Sequence, residues 1–422
     1  MDSPLIIVIG AGVAGLAAAR HLTAAGRHVL ILEARSRLGG RILTRRDGLS
    51  PLPIELGAEF VHGSPRQLWR IIDSARLPTM EVMGDNYFSA SGQLQKSASQ
   101  PDQFDKVYEA MKQAPEQSVG DFIANANFDE ATKQQMTAYL EGFNAASKET
   151  LSTGWVIETE EAGLSSRTFR MLAGYDELVS CLWHGVESRL TDLRLNTEVR
   201  AVRWHRGEVE VETAHGVFKG EKCVVTAPIG VLAAGTIRFD PAPPVLRAVC
   251  EAMDMGQVIR IVMRFRERFW ERGGKEHMSF LFSDDEVMPT WWTAMPARTP
   301  AITGWTAGPK AAQLLGRSEH AVTVEAAKAL ARVLGCTPNF VLDRLEAAHY
   351  HDWHADIWSR GAYCYVRPGG MDVQRWLGQP LEDTLYFAGE ATEATGNCGT
   401  VHGAIASGSR VGRAIAGPGR GE

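Results

Sequence analysis

An α/β fold of two interleaved domains is predicted by three observations. At 422 residues the chain exceeds what one ordinary core organises, so two closely packed domains are expected. Strand, glycine turn and helix follow one another at both ends, in "IIVIGAGVAGLAAARHL" (6–22) and "LYFAGEATEATGNCGTVHGAIASGSR" (385–410). Between them, residues 66 to about 165 are helical in pattern, Gln/Ala/Lys-rich and poor in β-branched runs. A Rossmann-type domain with a second, α+β domain inserted discontinuously accommodates all three.

The first turn justifies the Rossmann element. "LIIVIG" is an unbroken apolar run, as expected of a strand buried on both faces. Gly10, Gly12 and Gly15 supply G-x-G-x-x-G. Gly10 permits the tight turn, Gly12 lets a pyrophosphate touch backbone, and Gly15 lets helix and strand pack closely. An Ala/Leu-rich helix follows, with Gly26 placed to stop it. "RHVLILEA" is the next strand and ends in Glu33, eighteen residues after Gly15, an acid positioned to accept hydrogen bonds from ribose hydroxyls. Strand, turn, helix, strand and acid arrive in order, which makes dinucleotide binding the reading. The turn alone leaves NAD and FAD open.

Composition narrows the function classes. The chain is 45% hydrophobic and 22% charged, as for a soluble globular protein. A formal charge of −6 and the lack of a Lys/Arg block argue against nucleic acid, and are compatible with a cationic substrate. The six cysteines form no CxxC and no dense framework, so a reducing compartment is expected and no metal site. The first residues leave no room for a signal peptide, and no apolar run approaches the ~18 residues of a membrane span. A cytoplasmic protein without a membrane partner is the expectation. Oligomeric state is not legible.

Along the middle, "QFDKVYEAMKQ" and "DEATKQQMTAYLEGFNAA" read as helices, as does the amphipathic "YDELVSCLWHGVESRL". Three strands should follow: "EVRAVRWH", "EVEVET" across a turn at Arg206-Gly207, and "VFKGEKCVVTAP". "GQVIRIVMRFRERFW" alternates like a long strand, with "PTWWTAMP" and "ITGWTAG" as its neighbours in a second sheet. "VTVEAAKALARVLG" is a helix ended by Gly335.

Past Glu33 the run "EARSRLGGRILT" adds Arg35, Gly39, Gly40 and Arg41, which suit a pyrophosphate in need of extra neutralisation. With "PIELGAEFVHG" (53–63), "VVTAPIGVL" (224–232) and "LYFAGEAT" (385–392), the chain resembles the flavin-containing amine oxidoreductases. That family includes monoamine oxidases, polyamine oxidases and lysine-specific histone demethylases. The resemblance covers nearly the whole chain and is strongest at 5–63, 223–232 and 353–412. It implies a glutathione-reductase-like FAD-binding domain from residues 1–65, 168–236 and 372–422, with the substrate-binding domain from 66–167 and 237–371. Gly57, Ala58, Val199, Gly389, Glu390, Thr400 and Val401 are then further cofactor contacts. The last turn grips the isoalloxazine side, where a helix N-terminus stabilises negative charge. One long cofactor needs two grips.

The implied activity is oxidation of a primary or secondary amine, a polyamine among the candidates. A hydride equivalent passes to flavin N5, and the imine product hydrolyses to aldehyde and amine. O2 or another acceptor takes the electrons. Tyr363, ten residues after Trp353 in "WHADIWSRGAY", is the expected aromatic wall beside the amine; the second wall of some members falls at Thr400. Ala362 stands where monoamine oxidases attach FAD through Cys, so the cofactor is expected to be non-covalent. Arg260 takes the place of the "GxxxK" lysine that assists reaction with O2. Arg is planar, always charged and a multiple donor, so slower reaction with O2 or preference for another acceptor is expected. A two-residue slip in register would instead leave Arg260 facing outward. Glu59, where amino-acid oxidases carry a carboxylate-clamping Arg, favours an amine substrate, and His62 is expected to line its tunnel. Glu158, Glu160 and Glu161 are candidates for holding a second ammonium. The alternatives are a flavin desaturase of a non-amine substrate and a low-turnover FAD-bearing interaction protein.

Overall fold

The computed structural model describes residues 5–97, 101–163 and 167–417. Residues 1–4, 98–100, 164–166 and 418–422, which the expected domain ranges include, lie outside the described residues. A five-stranded parallel sheet is ordered Thr191–Arg194, Val29–Leu32, Ile6–Ile9, Lys222–Val225 and Leu385–Phe387. The unbroken apolar runs are explained by its two faces. Ile6 and Val8 pack with Leu16, Leu178 and Ile405 of helices, while Ile7 and Ile9 pack with Val202, Val209 and Val211 of a four-stranded sheet. Both faces are dry, so no position can alternate to polar.

The helices Val13–Ala24 and Val401–Ala416 lie against one another on the helical face. Their contact is made by small residues: a Cβ on Gly408 would sit 2.0 Å from the carbonyl oxygen of Ala14, and one on Gly412 2.8 Å from that of Ala18. Backbones that close set the first and last helices side by side, and with them both glycine turns at the C-terminal ends of the parallel strands.

The second large sheet has seven strands, ordered Leu345–Tyr350, Val258–Phe265, Ala301–Ala307, Thr290–Thr293, Met278–Ser283, Asp85–Ala90 and Gln93–Lys96. Ile259, Ile261, Met263 and Phe265 pack beneath the helix Glu319–Leu334, which Gly335 ends in the left-handed conformation. The opposite face turns Val258 and Arg260 toward a large cavity. The helices Val119–Asn125, Glu130–Asn144 and Thr153–Glu161 close the cavity on its far side.

Three expectations need correction. Residues 85–96 form a hairpin of the second sheet, not helix; Ser91 and Gly92 both take positive φ, the turn that joins twisted strands. "VFKGEKCVVTAP" is two strands in different sheets, Gly216–Gly220 and Lys222–Val225, parted at Glu221. The helix of "YDELVSCLWHGVESRL" stops at His184, where Gly185 caps it, and Thr191–Arg194 joins the parallel sheet.

Candidate active site

A continuous cavity of about 2030 Å³ runs from Glu33 and Val199, past both glycine turns, to an aromatic chamber at Tyr363. Its length follows from the fold, because the parallel sheet supplies one end and the seven-stranded sheet the other.

At the first end, Glu33 accepts from the backbone N–H of Ala11 (2.7 Å) and of Arg35 (2.8 Å). Burial pushes its pKa up against those two bonds, and the cavity beside it is left for hydroxyl donors. The first helix begins at Val13 with no side chain capping it, and the cavity passes Gly10, Gly12, Val13 and Ala14. Its first amides therefore face the cavity as an anion site. A Cβ on Gly15 would lie 2.0 Å from the Gly10 carbonyl oxygen, so only glycine allows this turn to fold onto its helix. Gly40 and Arg41 line the same stretch; one Arg41 nitrogen donates to Glu390 (2.8 Å) and to the Ala362 carbonyl (2.9 Å). These features fit a dinucleotide pyrophosphate and ribose. Arg35 also lines the cavity, but its two terminal nitrogens go to Asp356 (2.7 and 2.9 Å) and its plane lies over Trp358. It ties down the aromatic loop rather than presenting a free charge.

At the other end, Glu390 is buried and accepts from the N–H of Gly399 (3.0 Å) and of Cys364 (3.4 Å). Burial works to raise its pKa, but Arg41 and the hydrogen bonds hold it below the ordinary carboxylate value. Gly389, Thr400 and Val401 line the cavity at the start of the closing helix, and Thr400 caps that helix through its hydroxyl to Gly403 N–H. Gly57, Ala58 and Ala362 line it from the opposite side.

The chamber itself is aromatic. The Tyr363 hydroxyl donates to the Phe143 carbonyl (2.6 Å), which leaves its ring as a wall, and a Cβ on Gly399 would lie 3.5 Å from that ring. Burial pushes the phenol's pKa up, so it stays protonated. His62 lies between Phe60 and Phe143, and burial lowers its pKa to about 4; it is neutral at physiological pH. Trp353 is buried, with its indole N–H on the Leu56 carbonyl (2.8 Å), and lines the cavity.

Glu59 and Arg260 meet in one network. Arg260 faces inward, 5% exposed, and donates to the Gly57 carbonyl (2.6 Å) and to Glu59 (2.5 Å). The outward register is therefore not adopted. Arg170 donates to the other Glu59 oxygen (2.5 Å), and the Trp292 indole adds a third donor at 3.0 Å. Burial acts to raise the Glu59 pKa, yet the two guanidiniums outweigh it and the carboxylate stays ionised. Both its oxygens are taken, so it offers no free charge to a substrate. Glu158 and Glu161 do not line the cavity and pair with Arg375 (3.5 Å) and Lys112 (3.3 Å); Glu160 does not line it either.

Sequence reasoning missed Arg170, Trp292, Trp305 and Phe143. Arg170 sits on a short strand far along the chain from Glu59, and nothing local marks it. Tyr139 and Phe143 carried a usable signal, being four apart on one helix and stacked 5.7 Å between centroids.

An elongated cavity with an anion-binding helix start at each end and an aromatic chamber beyond the second defines an FAD-dependent oxidoreductase. The chain belongs to the family of flavin containing amine oxidoreductases, whose model matches residues 13–152 and 96–416. It is 29% identical over 449 residues to polyamine oxidase 2 of Arabidopsis thaliana, covering 96% of this chain and 86% of that one. Two solved structures share the fold at 20% identity and a TM-score of 0.82. They are putrescine oxidase bound to putrescine (97% of this chain, 98% of that one) and cyclohexylamine oxidase from Brevibacterium oxydans IH-35A (98% and 99%). The activity is FAD-dependent amine oxidation; these matches do not favour a desaturase or a low-turnover interaction protein.

Proposed function

We propose that the chain oxidises a primary or secondary amine whose carbon skeleton is apolar, with the reacting carbon held in the chamber between Tyr363 and the start of the closing helix. FAD, when bound, supplies the two-electron acceptor for the hydride leaving the carbon next to nitrogen. We assign its non-covalent hold to the Glu33, Gly12, Arg41 and Glu390 region, because Ala362 offers no nucleophile. Tyr363 and neutral His62 shape the chamber and exclude water without adding charge, which suits a neutral amine. The observation that carries the apolar preference is the saturation of Glu59 by two guanidiniums and an indole, inside walls of Phe60, Trp292 and Trp305. A distal ammonium would meet a net positive cluster there. The sheet and cavity arrangement supports a division into a cofactor domain and a substrate domain, although Leu68, Ile71 and Ile72 pack in the cofactor-side core, beyond the expected boundary at residue 65.

A second reading, an extended polyamine, is supported by Glu130, Glu141, Asp284 and Glu286 on the outer lining, and by the polyamine and putrescine oxidases it resembles. Initial rates of aldehyde formation from cyclohexylamine, benzylamine and hexylamine, set against putrescine and spermidine, separate the two. Higher kcat/KM for the apolar monoamines is expected; activity confined to the polyamines would overturn the preference. Electrons then pass to O2 or another acceptor, and Arg260→Lys is expected to speed the reaction with O2 several-fold in stopped flow.

A further inference from the structure

Two buried cysteines stand outside the chemistry above. Cys364 follows Tyr363 on the strand Cys364–Val366, and Cys398 precedes Gly399 and Thr400 in the loop that starts the closing helix. They are 1% and 4% exposed, and their Sγ atoms lie 2.9 Å apart. A disulfide bond needs about 2.05 Å, so closure asks for less than 1 Å of movement. Both residues line the cavity, so a small oxidant that enters it can reach them. The Cys398 sulfhydryl donates to the Glu390 carboxylate at 3.7 Å. Among the described residues no second S···S contact is seen, and Cys250 is exposed.

We propose that Cys364 and Cys398 form a peroxide-sensitive dithiol site whose disulfide ties the Tyr363 wall to the start of the closing helix. In the balanced step, one sulfur attacks the O–O bond of hydrogen peroxide, giving a sulfenic acid and one water. The second sulfur then displaces hydroxide from it, giving the S–S bond and a second water. Two thiols lose two electrons and two hydrogens; the peroxide gains both. Peroxide is the product expected when O2 takes the electrons of amine oxidation, so its source inside the cavity rests on the function proposed above. The site itself does not, because added peroxide tests it directly.

Burial pushes the Cys398 thiol up to about 11 and Cys364 well above its ordinary value. The resting pair is therefore protonated and slow toward alkylating agents. The consequence is steric. Between Gly399 and the Tyr363 ring there is room for no more than a methyl group, a Cβ on Gly399 lying 3.5 Å from the ring, and bonding its neighbour to Cys364 fixes the separation of wall and helix start.

The holoenzyme is treated with graded hydrogen peroxide, alkylated, and mapped by mass spectrometry without reduction. The expected product is one linked peptide pair containing Cys364 and Cys398, two hydrogens lighter, reversed by dithiothreitol and lost in both Cys364→Ala and Cys398→Ala. Oxidised wild type should show a several-fold change in amine KM that dithiothreitol reverses and that neither variant shows. Sulfinic acid at one cysteine, or oxidation of exposed Cys250 with the pair still reduced, would overturn the proposal. So would one tightly held metal ion per chain, since Cys364, Cys398 and Glu390 offer three ligand atoms within 4.8 Å. A chain that fails to oxidise amines yet forms the linked pair contradicts the proposed function alone.

Discussion

Glu59 carries one negative charge between two guanidiniums, and the sign of that imbalance decides what each substitution does. Glu59→Ala leaves Arg170 and Arg260 buried without their counter-ion and is expected to cost about 3–5 kcal/mol. Arg260→Met leaves Glu59 still paired with Arg170 and Trp292, so it should cost clearly less, as chemical denaturation of the two holoproteins will report. Equal losses would mean that Arg170 does not compensate. Tyr363 poses a similar contrast. Its hydroxyl serves only the Phe143 carbonyl, so Tyr363→Phe should keep the anaerobic rate of reduction by amine within a few-fold, while Tyr363→Ala should lower it by at least tenfold. At this scale the sequence is legible where chemistry is local. Glu33 and the three turn glycines can be read from spacing alone. The partners of Glu59 cannot, because Arg170 comes from a distant strand that pairs with Phe60–His62, and Arg260 from the separate seven-stranded sheet.

Among elements, the contact of the first and last helices matters most for cofactor binding. Gly408 lets the Ala14 carbonyl approach to a distance that no Cβ tolerates. Gly408→Ala should therefore push the helices apart, cost about 1–3 kcal/mol and weaken FAD retention on gel filtration. Gly142→Ala, within the helix Glu130–Asn144 and with nothing within 4 Å, should instead gain about 0.5–1 kcal/mol and leave FAD retention unchanged. Elements with strong periodicity or clear stops were predictable: both turn helices, the strand Val258–Phe265 and the helix ended by Gly335 all stand where the pattern puts them. The hairpin at 85–96 was not, since its polar outer face and Gln-rich return strand mask the alternation. The split at Glu221 was hidden for another reason, as two short strands of different sheets run on without a turn residue strong enough to part them.

For the whole molecule, pH acts through buried groups that pull in opposite directions. Burial lowers His62 and His402 to about 4, so the unfolded chain binds protons that the native state refuses, and stability is lost as pH falls from about 6.5 towards 4. Glu55 does the reverse. Burial raises it to about 7, so its contribution is present below about 4.5 and lost as pH rises through 7. Glu55→Gln keeps a carbonyl acceptor for Tyr175 N–H, while the Thr44 hydroxyl, which donates to Glu55, must accept from the new amide instead. Relative to wild type, it should gain about 3 kcal/mol between pH 4.5 and pH 8 in denaturant titrations. A gap that stays constant with pH would show that Glu55 titrates normally.

An apolar amine is expected to reduce the FAD held along this cavity. The experiment is an anaerobic titration of the holoprotein with cyclohexylamine, following the oxidised-flavin absorbance. Complete, saturable bleaching is the predicted result. Failure of both cyclohexylamine and hexylamine, with putrescine, spermidine or dithionite still reducing the flavin, would contradict it.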